Sequence, residues 1–530
     1  MKILLPAFLF AVSLYAQAPA ITSIQNPASN ILPGLPNYGM AQGQIFVLYG
    51  ANMGPTTIVQ PTSLPLPVSL GGTSVKITGL GSTTVYNAPL IYALNTQVAA
   101  VMPSGVPPGL GATIQVTYNG VAGNVFTTRV VDSNFGISTV DQSGGGTAVI
   151  TDANYKVVTA ANSAQPGVTY TMWGTGLGAA NSDNNIATNG DLGTSIQVFV
   201  GGLPATVTYR GRSGGPGLDQ INFTIPSGVS GCNVSLIVET NTTPVRVSNA
   251  PTLSIAQGGG ACSDANAIPQ AAELSALASK GSTGVAYISL DPNKNQALAF
   301  FLQFNSSQWA AVTPKFSTNS PGSCTTTVGS NGGGGDGPPA STGLDAGLTM
   351  TVTAPGGSVL PLPLVQTGIY MASLSSTSSG NYTLSNGTGG VNVGKFSVSF
   401  NGPPAFTWTN SNVTTITRSA GFKVVWAGGD ANSYVNIQGS APSTPVTVNG
   451  NVIQTNTNVS FLCQVPANTG SFSIPASILL AMPTAPVANT PNGTLAVALS
   501  TNPQVITVPG VDAGIAETNT APVSTNVIFQ

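Results

Sequence analysis

Gln44-Ile45-Phe46-Val47-Leu48-Tyr49-Gly50-Ala51-Asn52-Met53-Gly54 decides the fold, because it returns as Val168-Thr169-Tyr170-Thr171-Met172-Trp173-Gly174-Thr175-Gly176-Leu177-Gly178. The second copy starts 124 residues after the first, 168 against 44. Working outward, Gly72-Thr73-Ser74-Val75 matches Gly193-Thr194-Ser195-Ile196, and Gln97 to Val106 matches Gln220 to Val229. The offset barely changes, so one unit of roughly 120 residues is used twice. Along the first copy Ile45, Val47 and Tyr49 point one way, while Phe46 and Leu48 point the other, which is the period of a strand. Thr113 to Tyr118 alternates and runs into Asn119-Gly120; Ser195 to Val200 alternates and runs into Gly201-Gly202, both hairpin signals. Many short strands with turns between them predict two antiparallel sandwiches, residues 19–138 and 139–258.

The order strand, aromatic-Gly-x-x-x-Gly, Gly-Gly hairpin, then Gln-(Val/Ile)-x-x-x-(Met/Ile)-Pro-x-Gly-Val resembles IPT/TIG-type immunoglobulin-like repeats. It is closest to an uncharacterised repeat of secreted proteins from environmental bacteria. The resemblance covers residues 19–258 and implies a fold and an extracellular setting. It implies no catalytic residues. The C-terminal half looks like the same architectures, whose function is unknown.

The chain has 530 residues, with 13 Lys plus Arg, 15 Asp plus Glu, no histidine and only 5% charged residues, against about 25% in ordinary soluble domains. Thirteen cations give no electrostatic footprint for nucleic acid. The lack of histidine excludes Ser-His-Asp triads and His-ligated metals. With 64 Gly, 40 Pro and 42% hydrophobic residues, the composition fits a turn-rich β protein and argues against wholesale disorder.

Met1-Lys2, the apolar run Ile3 to Tyr15 and Ala16-Gln17-Ala18 read as a signal peptide over residues 1–18. No later run is long and apolar enough for a membrane helix, so no transmembrane segment is expected. Four cysteines in an exported chain suggest two disulfides among Cys232, Cys262, Cys324 and Cys463. Three pairings are open; Cys232 with Cys262 and Cys324 with Cys463 is the favoured one. No C-x-x-C spacing supports a metal site instead.

In the second half, Pro269 to Ser279 carries the helix signal: Leu274 and Leu277 on one face, Glu273 early, Lys280 late and Gly281 as a stop. Residues 264–331 read as a small β-rich module with this one helix, and 332–339 as a Gly/Pro linker. Further short strands follow, divided into a β-sandwich unit over 340–400 and a C-terminal sandwich over 401–530. Trp426 reads as a core residue. The fold class expected is therefore all-β: tandem immunoglobulin-like β-sandwiches followed by a β-rich C-terminal half with one short helix.

The search for chemistry is short. Asp183 and Asp191, with Asn181, Asn184 and Asn185, form the densest set of oxygen ligands and are the candidate calcium site, against the plainer reading of a polar turn-rich loop. No other cofactor is expected. Asp345, Asp430, Asp512 and Glu517 could be paired by folding for glycoside hydrolysis, but nothing selects two of them. Gly174-x-Gly176-x-Gly178 follows a strand and opens no helix, so it reads as turn chemistry rather than a phosphate loop. Trp309, Trp408 and Tyr434 are the candidate sugar-stacking residues. The sequence points to a non-enzymatic secreted or cell-surface protein, structural or adhesive. Its expected partners are itself, other surface proteins or glycans, and not nucleic acid. Low charge and the strand-like Val527-Ile528-Phe529 suggest self-assembly through a free edge. The alternative is a carbohydrate-binding or carbohydrate-acting protein.

Overall fold

The structure, a computed structural model, describes residues 17–188, 190–264, 276, 279–308, 319–330, 341–443, 446–448, 451–454 and 457–530. The expected signal peptide core, the helix signal of Pro269 to Ser279, Trp309 and the linker lie wholly or largely outside the described residues. The protein is all-β.

The first repeat is a two-layer sandwich. Ala20–Gln25, Ile45–Ala51, Gln97–Val101 and Leu90–Ala93 form one sheet; Val121–Thr128, Ala112–Tyr118, Thr73–Gly79 and Ser69–Leu70 form the main path of the other. Alternation fixes the register: Val75 and Ile77 face inward while Lys76 between them is exposed. Phe46 and Leu48 meet Val75, Ile77, Ile114 and Val116 in one core. Val47 is buried too, but on the opposite face.

The second repeat closes differently. Its strands join in one path, because the ten-residue strand Leu203–Arg212 pairs with Ile196–Val200 through residues 203–205 and with Asp219–Thr224 through residues 206–212. A bulge between Val207 and Tyr209 bends the crossing strand. Met172, Phe223, Val198 and Leu236 fill the space so enclosed.

The C-terminal half departs from the expected boundaries. Its first sandwich is led by Ser282–Asp291, Gln296–Asn305 and Ile369–Ala372, facing Met350–Thr353, Asn381–Ser385 and Ser397–Asn401 around Phe301, Tyr370 and Leu384. Ala513–Thr518, from near the chain's end, completes it in parallel with Ser282–Asp291. The second is led by Ser433–Pro442, Thr457–Pro466, Gly493–Thr501 and Val523–Phe529, facing Phe422–Gly428 and Ser471–Ile474. Cys324–Ser330 joins that second sandwich, with Cys324 in register with Cys463. Residues 264–331 are thus not a module of their own, and 401–530 supplies strands to both sandwiches. The reason is that strand pairing here is decided by distant partners, which no local composition shift marks.

The two disulfides are Cys232–Cys262 and Cys324–Cys463. The terminal strand is not a free edge: Val523–Phe529 pairs with Gly493–Thr501 on one side and with Thr415–Ile416 on the other, and Val527 and Phe529 are buried. Among the described residues no helix is long and apolar enough to cross a membrane.

Candidate functional site

The glycine loop and the aspartates of the second repeat are structural. Asp219 accepts from the backbone N–H groups of Gly176 (2.7 Å) and Leu177 (2.8 Å) and pairs with buried Arg212. Arg212 also donates to the carbonyls of Gly43 (2.8 Å) and Gly178 (2.7 Å), tying the first repeat to the second. Gly176 and Gly178 stand at φ 115° and 129°, where a side chain would be strained. Asp183 spends both carboxylate oxygens on Ser104, whose N–H and hydroxyl donate at 2.8 and 2.6 Å. Asp191 accepts from Gly193 N–H at 2.7 Å and stands 3.8 Å from Arg210. Asp183 and Asp191, the calcium candidates, thus each have a protein partner of their own, and among the described residues no group of three or more His, Cys, Asp or Glu side chains is placed to hold a metal ion.

The proposed sugar-stacking residues scatter. Trp408 is 3% exposed, packs in register with Trp426 and donates through Nε1 to Asn410 at 2.8 Å. It is core rather than platform, because its strand forms the inner layer that closes the second sandwich. Tyr434 is also largely buried, and burial pushes its phenol up, yet it borders the cleft described next. Of the four acids considered for hydrolysis, Asp345 closes a turn by accepting from Gly347 (2.8 Å), Asp512 pairs with Lys280 (2.6 Å), and Asp430 holds Ser433 (2.8 Å). Glu517 lines the cleft described next, and Asp430 lines the hollow that adjoins it.

That cleft, of about 350 Å³, lies in the seam between the two C-terminal sandwiches. One wall is the outer face of the second sandwich. Alternation along Ser433–Pro442 sends Val435 and Ile437 into the core and leaves Asn436 and Gln438 outside. Asn436 sits in register with Gln464 and Ala498, and Gln438 with Leu462 and Ala496, so amides stand over a floor of small alanines. Gln464 Nε2 donates to Asn436 Oδ1 (2.8 Å), and Asn436 Nδ2 donates to Ser500 Oγ (2.5 Å), which fixes the orientation of the row.

The facing wall comes from the first sandwich. Tyr287 donates its hydroxyl to Glu517, and Ser289 adds a weaker contact at 3.4 Å. Burial raises the Glu517 carboxyl above its ordinary range, against the lowering effect of the Tyr287 bond. Asp291 accepts from Asn293 N–H (3.1 Å) and stands 3.5 Å from Lys294, capping a short turn at the rim.

A second hollow, of about 570 Å³, adjoins the first across Thr501 and Pro503. Asn401, Asn432, Asn502 and Gln504 line it. Asn502 Oδ1 is buried with no hydrogen-bond partner, a state that normally calls for a ligand or water. Together the hollows form a groove rich in side-chain amides, which offer donors and acceptors side by side. The alternation of Asn436 and Gln438 was readable in the sequence. That this polar face lines a cleft depends on the strand Ala513–Thr518 bringing Glu517 opposite, and no local signal carries that.

No protein-family model and no curated protein matches the sequence. Solved structures align over long stretches at low identity. SGBP-B of the Bacteroides ovatus mixed-linkage glucan utilization locus, in complex with a mixed-linkage heptasaccharide, aligns at 11% identity over 84% of this chain and 96% of its own, TM-score 0.14. Domains 4–9 of the surface layer protein SbsC align at 12% over 96% and 65%, TM-score 0.13. Invasin, a bacterial integrin-binding protein, aligns at 11% over 87% and 74%, TM-score 0.13. Scores of this size carry no ligand or activity over to this chain.

Proposed function

We propose that this chain is an exported, non-enzymatic binding protein of the cell surface or extracellular space, and that it holds a neutral, hydroxyl-rich ligand, a glycan, in the seam between its C-terminal sandwiches. Two disulfides and a leader-like start support export to an oxidising compartment. The IPT/TIG-type resemblance of residues 19–258 is part of the same proposal, with the repeats as a stalk.

The observation that carries the ligand class is the amide groove, with the unpartnered buried Asn502 Oδ1 beside it. A sugar hydroxyl both donates and accepts, as each amide does, and a site of this size suits a few rings. Binding is favoured over hydrolysis because the acids at the groove are committed: Glu517 to Tyr287, Asp291 to its turn and Lys294, Asp430 to Ser433.

The test is affinity electrophoresis of the mature chain in gels containing soluble xylan, galactomannan, hydroxyethylcellulose or dextran. The reading expects retardation by at least one polymer, little changed by salt. Gln438→Ala should weaken it about tenfold, on the order of 1.4 kcal/mol. Gln438 is exposed on the groove wall and outside the core. Retardation by none, or reducing ends released with time, would contradict the proposal.

A further inference from the structure

In the second repeat, Asp152 to Lys156 form a tight hairpin turn. Tyr155 N–H donates to the Asp152 carbonyl (3.0 Å), and Asp152 N–H donates to the Lys156 carbonyl (3.0 Å). The Asp152 side chain grips the turn from within, accepting from the N–H groups of Asn154 (2.8 Å) and Lys156 (2.9 Å). A turn of this kind needs a residue in the left-handed region, a place for Gly or Asn. Tyr155 occupies it at φ 61°. Among the described residues eight non-glycine residues have positive φ; six are asparagine, and Tyr155 is the one aromatic.

Such a conformation is strained for a side chain of this size and persists where the surroundings impose it, often at functional sites. The ring does little to offset that strain, since Tyr155 is 74% exposed. What the turn accomplishes is placement. The Tyr155 ring stands 6.3 Å from that of Trp173, centroid to centroid, with 36° between the planes. Trp173 is half-buried, on the outer face of Thr169–Thr175, and its orientation is fixed by donation from Nε1 to Thr151 Oγ1 at 3.0 Å. Beside it in register is Gln220, and the next outward rung pairs Thr171 with Asn222. Asn222 Oδ1 accepts from Thr171 (3.1 Å) and Gln220 (3.4 Å), which leaves its N–H groups for a ligand.

We propose that Tyr155 and Trp173 form a stacking platform for a pyranose ring of a neutral polysaccharide, with Gln220 and Asn222 bonding its hydroxyls. The apolar C–H face of a sugar packs on aromatic rings, while the amide row beside them reads its rim. The site is separate from the C-terminal seam and shares no residue with it.

The experiment uses the full mature chain, with Tyr155→Asn, Tyr155→Phe and Gln438→Ala, in the same xylan, galactomannan, hydroxyethylcellulose and dextran gels, with melting temperature measured on each. Asparagine suits the left-handed slot, so Tyr155→Asn should melt at or above the wild-type temperature while losing at least tenfold in affinity. Tyr155→Phe keeps the ring and should bind as wild type. Three results would overturn the inference: no retardation of the wild type, wild-type affinity in Tyr155→Asn, or a lower melting temperature in Tyr155→Asn, which would make the ring a structural one. Loss with Gln438→Ala alone removes this site and leaves the seam standing; loss with Tyr155→Asn alone does the reverse.

Discussion

In residues 19–258 each core is assembled from a continuous stretch of chain, the second beginning at Phe135 rather than after residue 138, whereas in the C-terminal half both sandwiches are closed by strands brought from far along the chain. The parallel pairing of Ser282–Asp291 with Ala513–Thr518 joins segments more than 220 residues apart, for example Val285 with Ala513. The disulfide Cys324–Cys463 spans 139 residues, against 30 for Cys232–Cys262. Each repeat therefore carries its own folding information, while the C-terminal half depends on long-range closure. That same closure creates the seam: the crossing strand that supplies Glu517 to the first sandwich leads directly into Val523–Phe529 of the second.

The comparison can be broken most forcefully at the disulfides. In the chain-entropy model, removing Cys324–Cys463 by paired Ser substitutions costs about 5 kcal/mol, and removing Cys232–Cys262 costs about 3.5 kcal/mol. Trp408 and Trp426 lie in the core of the second sandwich and Trp173 lies on the second repeat. Denaturant melts followed by fluorescence of these groups should show the first variant losing the Trp408/Trp426 signal early while the repeats persist. Equal loss everywhere would merge the two regions into one cooperative unit.

Arg212→Ala strikes the joint between the repeats instead. It leaves Asp219 buried without its cation, and breaking such a pair costs about 3–5 kcal/mol. The expected result is a large drop in stability of the repeats, with the C-terminal transition little moved. Asp183→Asn removes a charge-assisted acceptor from Ser104 and should cost about 1.5 kcal/mol. Chelator should leave the melting temperature of the wild type unchanged, since each Asp183 oxygen already accepts from Ser104; a calcium-dependent rise would favour the metal reading.

The smallest effect concerns pH. Burial raises the Glu517 carboxyl above its ordinary 4.5 in the folded state. The folded protein therefore holds that proton more tightly than the unfolded chain. This contribution to stability is present in acid and is lost as pH rises from that value through the raised one. Glu517→Gln should flatten that decline and be the more stable form at neutral pH, as read from melting temperature against pH.

How much was legible follows the same division. The repeat offset, the inward Phe46 and Leu48 and the turn glycines are local patterns, and they placed the first two sandwiches. The pairing of Cys324 with Cys463 was reachable because four cysteines leave few options. The exchange of Cys324–Ser330 and Ala513–Thr518 between sandwiches was not, since a buried strand looks the same whichever sheet receives it. Trp408 misled because an aromatic on a short strand can face in or out, and only the opposing Trp426 decides. Tyr155 was passed over because positive φ at a tyrosine leaves no trace in composition.

The seam is tested most directly by hydrogen exchange on the mature chain, with and without whichever of the four polysaccharides retards it. Ligand in the groove should slow exchange along residues 433–438, 462–464 and 496–504, which line it from one side, and should do so in Tyr155→Asn as well once the polymer is saturating. Unchanged exchange across those strands would contradict a ligand held between the C-terminal sandwiches.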